Sequence, residues 1–163
     1  MSDETKICDK CYDIQSPYID FEKSRNCEHC GNNYFFKVDE LIAPAISIFN
    51  KKGYKTQFCC SGHITLDDEN SYNMNLGTYI VFYDQHKFNS IPLEFKCEPF
   101  MLESGLRYIM GLVNPDKYIK ITYGESLSLL FNAVKSLQLW ADSLPNVSKS
   151  LESDLTTSGV MLV

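Results

Sequence analysis

The chain has 163 residues, 44% of them hydrophobic and 13% aromatic, which suits one ordinary domain with a small module and excludes a disordered chain. Its formal net charge of −6 argues against a protein that grips DNA or RNA through a general basic surface, because phosphate contacts need clustered Lys and Arg. No apolar run is long enough to span a bilayer, and the polar start of the chain does not resemble a signal peptide. We therefore expect a cytoplasmic protein without a membrane partner.

Four of the seven cysteines form two matched pairs near the start of the chain, with the spacing C-x2-C-x15-C-x2-C. In a thiol-reducing compartment this spacing indicates zinc, because two tight turns can present four thiolates to one tetrahedral ion. Gly31 follows the second pair, where a small residue helps the turn aim its amides at the sulfurs. Four thiolates leave no open position, so the zinc is expected to be structural. The sequence predicts a zinc ribbon over residues 1–33 with the ligands Cys8, Cys11, Cys27 and Cys30.

From residue 34 onward the pattern predicts an α+β domain, in which helices and a sheet are mixed, over residues 34–163. "YFFKV" (34–38) is expected to form a short strand and "YKTQFCC" (54–60) another. Between them lies a helix in which Pro44 occupies or distorts the first turn and Gly53 marks the end. The predicted buried face of this helix consists of Leu41, Ile42, Ala45, Ile46 and Phe49.

The middle of the domain is predicted to contain a loop and two strands. "HITLDDENSYNMNLG" (63–77) is expected to be a polar loop. "TYIVFY" (78–83) is a continuous apolar run, which predicts a strand buried on both faces. "LEFKCEPFML" (93–102) is a further strand, in which Pro99 marks a sheet edge or a bulge.

The last part of the chain is predicted to form a strand, a long helix and a closing strand. "YIKITY" (118–123) alternates as a strand does, and "SGVMLV" (158–163) is a candidate for the last strand of the sheet. The helix covers residues 125–144 and is stopped by Pro145. Its predicted buried face consists of Leu127, Leu130, Phe131, Val134, Leu137 and Ala141.

The segment "CCSGH" (59–63) places several reactive side chains at the end of a predicted strand. Ser61 offers a hydroxyl, and Gly62 permits a positive φ or a close approach of a ligand to the backbone. Four interpretations stay open. They are a second metal site with Cys60 and His63 as ligands, a Cys or Ser nucleophile paired with His63, a plain structural turn, and a pocket for a small molecule or nucleotide.

Four segments, in this order, resemble the wybutosine-synthesising tRNA methyltransferase family. They are "VDELIAPAISIFNKKGYKTQFCCSGHI" (38–64), "TYIVFYD" (78–84), "EFKCEPFML" (94–102) and "TSGV" (157–160). The family turn Ser-Cys-Ser-Gly-Arg corresponds to "CCSGH" here, with Cys in place of the first Ser and His in place of the Arg. The domain therefore resembles a diverged member of that family, preceded by a zinc ribbon.

The resemblance implies a domain that binds S-adenosylmethionine and methylates a hypermodified guanosine in tRNA. It implies that Glu98, Pro99 and Phe100 lie on a strand next to the turn. The residues that it places at the cofactor site are Thr56, Cys60, Ser61, Gly62, His63 and Glu98.

Two classes of function follow from these observations. The first is a zinc-binding regulatory or adaptor protein, whose ribbon docks on a protein or nucleic-acid partner and is fused to a diverged methyltransferase-like domain. The alternative is an S-adenosylmethionine-dependent RNA (tRNA) methyltransferase, in which the ribbon positions the substrate; methyl transfer mainly requires alignment of donor and acceptor. A ligand sensor, whose pocket controls what the ribbon binds, is a third possibility.

Overall fold

The computed structural model describes residues 4–15, 26–66, 72–75, 78–84, 86–93, 95–102, 105–112 and 123–147. Within these ranges the chain forms eight strands and two helices, and the predicted α+β class is confirmed. In chain order the elements are β1 (Glu4–Cys8), β2 (Phe35–Asp39), α1 (Ala43–Lys51), β3 (Thr56–Cys60), β4 (His63–Leu66), β5 (Tyr72–Asn75), β6 (Tyr79–Phe82), β7 (Phe95–Leu102), β8 (Gly105–Leu112) and α2 (Tyr123–Ser143).

The strands of the described ranges form one four-stranded sheet and two two-stranded sheets, all antiparallel. The larger sheet has the order β3-β6-β8-β7, so β3 and β7 are its two edges. The placement of Pro99 in β7 confirms its predicted edge position, because an edge strand has one side that needs no ladder hydrogen bond. β1 pairs with β2 from Glu4↔Asp39 to Cys8↔Phe35, and this pair of strands joins residues on both sides of the predicted boundary at 33/34.

An aromatic cluster forms the centre of the core, where α1 packs against α2. Phe49 is fully buried, and its ring centroid lies 5.1 Å from that of Trp140 and 5.3 Å from that of Phe82. Ile7 of β1 and Val38 of β2 belong to the same cluster of buried residues. The β1–β2 sheet, which ends at Cys8, therefore shares its core with the rest of the fold.

The predicted limits of α1 are confirmed. The helix begins at Ala43 with Pro44 in its first turn, where the missing N–H costs no helical hydrogen bond. It ends at Lys51, and Gly53 follows with φ of 95°, a left-handed conformation that glycine adopts without a Cβ clash. Leu41, which precedes the helix, is exposed instead of buried, whereas its neighbour Ile42 is buried although it also precedes the helix. The buried members of the predicted face are Ile42, Ala45, Ile46 and Phe49.

The strands predicted over 34–38, 54–60, 78–83 and 93–102 are confirmed as β2, β3, β6 and β7. The prediction of a polar loop over 63–77 was wrong, because β4 and β5 pair there from His63↔Asn75 to Leu66↔Tyr72. A backbone ladder does not require apolar side chains, and the polar composition concealed the hairpin.

Strand β8 was missing from the sequence prediction. Its alternating residues Leu106, Tyr108, Met110 and Leu112 carry the period-two pattern that would have found it. In the structure β8 lies between β6 and β7, and it separates the strand of Glu98 from β6.

The long C-terminal helix is confirmed as α2, but one member of its predicted face, Phe131, was wrong. Phe131 is 52% exposed and Leu127 is only partly buried, whereas Trp140 and Ala133 are buried. The apolar residues extend around more of the helix than one buried face can use. The strand predicted at "YIKITY" (118–123) lies outside the described residues except for Tyr123, which begins α2, and the strand predicted at 158–163 lies outside them entirely.

Neither of the helices in the described ranges combines the length and the hydropathy that a bilayer span requires.

Candidate metal centre and the adjoining groove

Each cysteine pair lies on a tight turn, and the two turns have the same hydrogen-bond pattern. In the first turn, the N–H of Tyr12 donates to the carbonyl of Cys8 at 3.0 Å, and the N–H of Cys8 donates to the carbonyl of Asp13 at 3.0 Å. Tyr12 itself adopts a left-handed conformation with φ of 59°.

The second turn repeats this arrangement nineteen residues later in the chain. The N–H of Gly31 donates to the carbonyl of Cys27 at 2.8 Å, and the N–H of Cys27 donates to the carbonyl of Asn32 at 2.6 Å. Gly31 has φ of 72°, so it occupies the position equivalent to Tyr12. Two independent segments have therefore adopted the same turn, which brings both cysteines of each pair to one side.

The four sulfur atoms lie together, as the spacing predicted. The distance between the Sγ atoms of Cys8 and Cys30 is 3.6 Å, and that between the Sγ atoms of Cys11 and Cys27 is 3.5 Å. All four ligand atoms lie within 4.8 Å of one another. A disulfide requires about 2.05 Å, whereas zinc bonds of about 2.3 Å to the corners of a tetrahedron place the sulfurs about 3.8 Å apart. The geometry fits a tetrahedral metal ion.

Two side-chain amides donate hydrogen bonds across the cluster, one from each turn to the other. The Nδ2 of Asn32, which follows the second pair, lies 3.6 Å from the Sγ of Cys8. The Nε2 of Gln15, which follows the first pair, lies 3.5 Å from the Sγ of Cys27. Such contacts orient ligands and disperse thiolate charge, so they suit sulfurs that carry a negative charge.

The surroundings of the sulfurs lower the pKa of Cys8 and raise the pKa of Cys11. Burial tends to raise the pKa of Cys8, but the backbone amides of Cys11 and Lys10 and the side chain of Asn32 together lower it to about 6. Burial and the neighbouring thiols raise the pKa of Cys11 to about 12, although a hydrogen bond from the backbone of Asp13 opposes them. The first thiolate therefore forms readily and the next does not, until a cation compensates the repulsion.

The cluster is attached to α1 by polar contacts. The hydroxyl of Ser47 donates to the carbonyl of Tyr12 at 2.6 Å. The carboxylate of Asp13 pairs with Lys51 on α1 and lies 3.4 Å from the Nδ1 of His29, which lies between the second pair of cysteines. These contacts with Lys51 and His29 lower the pKa of Asp13. Asp13 thus links both cysteine turns to the helix.

The "CCSGH" turn uses its polar groups inside the fold. Both the N–H and the hydroxyl of Ser61 donate to Oδ2 of Asp39, at 2.9 and 3.0 Å, and the hydroxyl of Thr78 donates to the carbonyl of Ser61 at 2.6 Å. Gly62 has φ of 97°. Cys60 and Ser61 are both buried, and these bonds join the end of β3 to β2 and to the start of β6.

A groove of about 510 Å³ is lined by residues of β2, of β3 and of the first cysteine turn. Asp9 and Tyr12 line one end of it, and residues 36–38 of β2 and 56–59 of β3 form its walls. Of the residues that the resemblance placed at a cofactor site, Thr56 lines the groove. Its hydroxyl accepts a hydrogen bond from the Nδ2 of Asn50 at 2.8 Å.

The other residues of that predicted site fall into two groups, the consecutive residues 60–63 and Glu98. Cys60, Ser61 and Gly62 are not among the residues that line the groove, and His63 begins β4. Glu98 lies on β7, which is the opposite edge of the sheet from β3. Two strands separate them, which corresponds to about 14 Å at the usual spacing. The expectation that Glu98 lies on a strand next to β3 was wrong, because β6 and β8 lie between them.

Comparison with known proteins identifies no relative: no family model, no curated protein and no solved structure matches this chain. The metal centre and the groove are therefore interpreted from their own geometry.

Several residues around the centre were absent from the sequence prediction. The signal for Asn32 and Gln15 is weak but physical, since polar residues placed shortly after a CxxC turn can reach the sulfurs. Lys51 belongs to "FNKKGYK" (49–55), which suggests a basic patch in the sequence alone. Its pairing with Asp13 spans 38 positions of the chain and has no local sequence signal.

Proposed function

We propose that the chain is a zinc-binding regulatory or adaptor protein whose four-cysteine centre is structural and supports a surface that binds a macromolecular partner. The observation that carries this proposal is the closed cluster of four sulfurs on two matched turns, from Cys8, Cys11, Cys27 and Cys30. Four protein ligands complete a tetrahedron and leave no position for a substrate or an activated water. An ion bound there would supply a fixed cross-link and no chemistry.

The position of the cluster indicates what the cross-link supports. The first turn contacts α1 through Ser47 and Asp13, and it also contributes Asp9 and Tyr12 to the groove. The strand that follows the second turn is β2, which forms one wall of the same groove. A metal ion that joins the two turns would therefore hold the groove in its shape.

Metal analysis of the purified full chain tests the proposal. We expect one zinc per chain by mass spectrometry of the dissolved protein, and a loss of that zinc in Cys27→Ser. The matched control is Cys59→Ser, which changes a cysteine outside the cluster and should retain the metal. A zinc content near zero in the unmodified chain, or equal contents in both variants, would contradict the proposal.

The methyltransferase alternative is tested by calorimetric titration of the zinc-loaded chain with S-adenosylmethionine, beside His63→Ala. The adaptor proposal expects no saturable heat. The N–H and the hydroxyl of Ser61 already donate to Asp39, and Glu98 lies on the far edge of the sheet. Saturable binding that weakens in His63→Ala would favour the methyltransferase instead.

A further inference from the structure

The side chain of Asn32 bridges the two cysteine turns. Asn32 follows the second pair of cysteines, and its Nδ2 atom lies 3.6 Å from the Sγ of Cys8 in the first turn. The same nitrogen donates to Oδ1 of Asp9, also in the first turn, and to the carbonyl of Tyr34 at 3.0 Å. The sulfur, the carboxylate and the carbonyl are all acceptors, and an amide nitrogen offers only donors. The side chain therefore connects the second turn to the first through its amide nitrogen.

The backbone of Asn32 contacts two further cysteines. Its carbonyl accepts from the N–H of Cys27 at 2.6 Å. Its backbone is also hydrogen-bonded to the sulfur of Cys30. Asn32 therefore contacts three of the four cysteines, and its side chain is the group that reaches the other turn.

The sulfur of Cys8 depends on the protein for its hydrogen bonds. Cys8 is fully buried, and a buried charge without partners is costly. The donors to this sulfur include the backbone amides of Lys10 and Cys11, which belong to its own turn, and the side chain of Asn32. The backbone donors come with the turn itself. Asn32 is therefore a donor that a substitution removes without altering the segment that carries Cys8.

The contact with Asp9 allows a purely structural interpretation of the same side chain. Asp9 is exposed and lines the groove, so water can take the place of the amide at its carboxylate. Water has no such access to the buried sulfur of Cys8. The contact with the sulfur is therefore the one whose loss is not compensated.

From these observations we propose that Asn32 is a positioning residue of the metal centre, whose side-chain amide orients the sulfur of Cys8, disperses its negative charge and thereby sets the affinity for zinc. This inference rests on the proposed function and names a residue outside the four ligands on which metal binding depends. Loss of an outer partner of this kind typically costs about ten- to hundredfold in metal affinity.

The test is the zinc affinity of the full chain, measured by competition with a chelator of known affinity. We expect Asn32→Ala, which removes the donor, to bind zinc about tenfold more weakly. Asn32→Asp places a carboxylate against both the sulfur and Asp9, and it should lose up to about a hundredfold. Asn132→Asp makes the same chemical change at an exposed position on α2 and should bind zinc as the unmodified chain does. Circular dichroism at saturating zinc verifies that each variant folds.

Exchange of the two side chains separates the contact with Cys8 from the contact with Asp9. The double variant Asp9→Asn with Asn32→Asp keeps the net charge and keeps an amide opposite a carboxylate, but its carboxylate lies against the sulfur of Cys8. We expect this double variant to stay about tenfold or more weaker than the unmodified chain. Recovery of the full affinity would show that Asn32 acts only through Asp9 and would overturn the proposal.

Cobalt in place of zinc gives a readout that a merely structural role does not move. Hydrogen bonds to a thiolate stabilise the electrons of the sulfur, so loss of the donor in Asn32→Ala should shift the thiolate-to-cobalt charge-transfer absorption to lower energy. Asn132→Asp should leave this absorption unchanged. An identical spectrum in Asn32→Ala would contradict the contact with the sulfur of Cys8.

The zinc content of the unmodified chain separates the two proposals. A chain that holds zinc, with equal affinities in Asn32→Ala, Asn32→Asp and Asn132→Asp, overturns the positioning role alone. A chain that holds no zinc overturns the proposed function and the positioning role with it.

Discussion

Replacement of Ser61 by alanine distinguishes a structural serine from a ligand-binding one. The hydroxyl of Ser61 is buried and donates to Oδ2 of Asp39 at 3.0 Å. Alanine removes this donor and keeps the N–H of the same residue, which lies 2.9 Å from Oδ2 of Asp39. A hydrogen bond to a charged group contributes about 1.5–3 kcal/mol, so we expect Ser61→Ala to lower the free energy of unfolding by about 2 kcal/mol.

The measurement is urea-induced unfolding of the zinc-loaded chain, followed by circular dichroism. Ser128→Ala is the matched control, because its hydroxyl is exposed and donates to the carbonyl of Gly124 within the helix. Surface substitutions of this kind change stability by less than about 0.5 kcal/mol. Zinc content should be unchanged in both variants, since neither residue lies in the cysteine cluster.

Two results would refute this reasoning. If Ser61→Ala and Ser128→Ala lose the same small amount of stability, the bond to Asp39 does not hold the end of β3 in place. If Ser61→Ala keeps its stability and loses affinity for a ligand, the hydroxyl is a binding group and the "CCSGH" turn belongs to a site.

Three further predictions concern the metal and the core. Removal of zinc by a strong chelator should abolish protection of the β1–β2 amides from hydrogen exchange, because metal binding supplies folding energy to such turns; unchanged protection would count against a structural ion. Phe49→Ala should cost about 3–5 kcal/mol in urea unfolding, since the ring is fully buried against Phe82 and Trp140. Burial lowers the pKa of His86, although Asp84 opposes this. The unfolded chain therefore binds the proton more tightly, and unfolding free energy should fall as pH drops below about 6.5. His86→Phe should flatten that dependence, and an identical pH profile would show that His86 is not its source.

The parts of the fold that the sequence predicted have strong local signals. α1 is bounded by Pro44, whose ring fixes φ, and by Gly53, which adopts the left-handed conformation that follows the helix. The cysteine cluster follows from two matched spacings, because each turn is closed by hydrogen bonds within six residues. β6 follows from a run of apolar side chains, of which Ile80, Val81 and Phe82 are buried.

The parts that were not predicted depend on contacts between distant residues. Lys52 donates to the carbonyl of Leu144 across 92 positions, and Trp140 donates from its indole to the carbonyl of Ser90 across 50. Lys52, which the sequence suggests is part of a basic patch, therefore connects α1 to the end of α2. The position of Glu98 was wrong for a related reason, since sheet order depends on where β8 inserts and no segment determines that alone.

The contacts of Tyr12 explain why the metal centre and the groove belong to one structural unit. Its left-handed conformation is unfavourable for a side chain of this size. Three contacts hold it: its N–H bonds to Cys8, its carbonyl accepts from Ser47, and its ring lies under the ammonium of Lys55. One residue therefore closes a cysteine turn, docks that turn on α1 and supports the cation of the groove. Any change in the turn, including loss of a bound ion, is expected to move Lys55 and to change the shape of the groove that Tyr12 and Lys55 line.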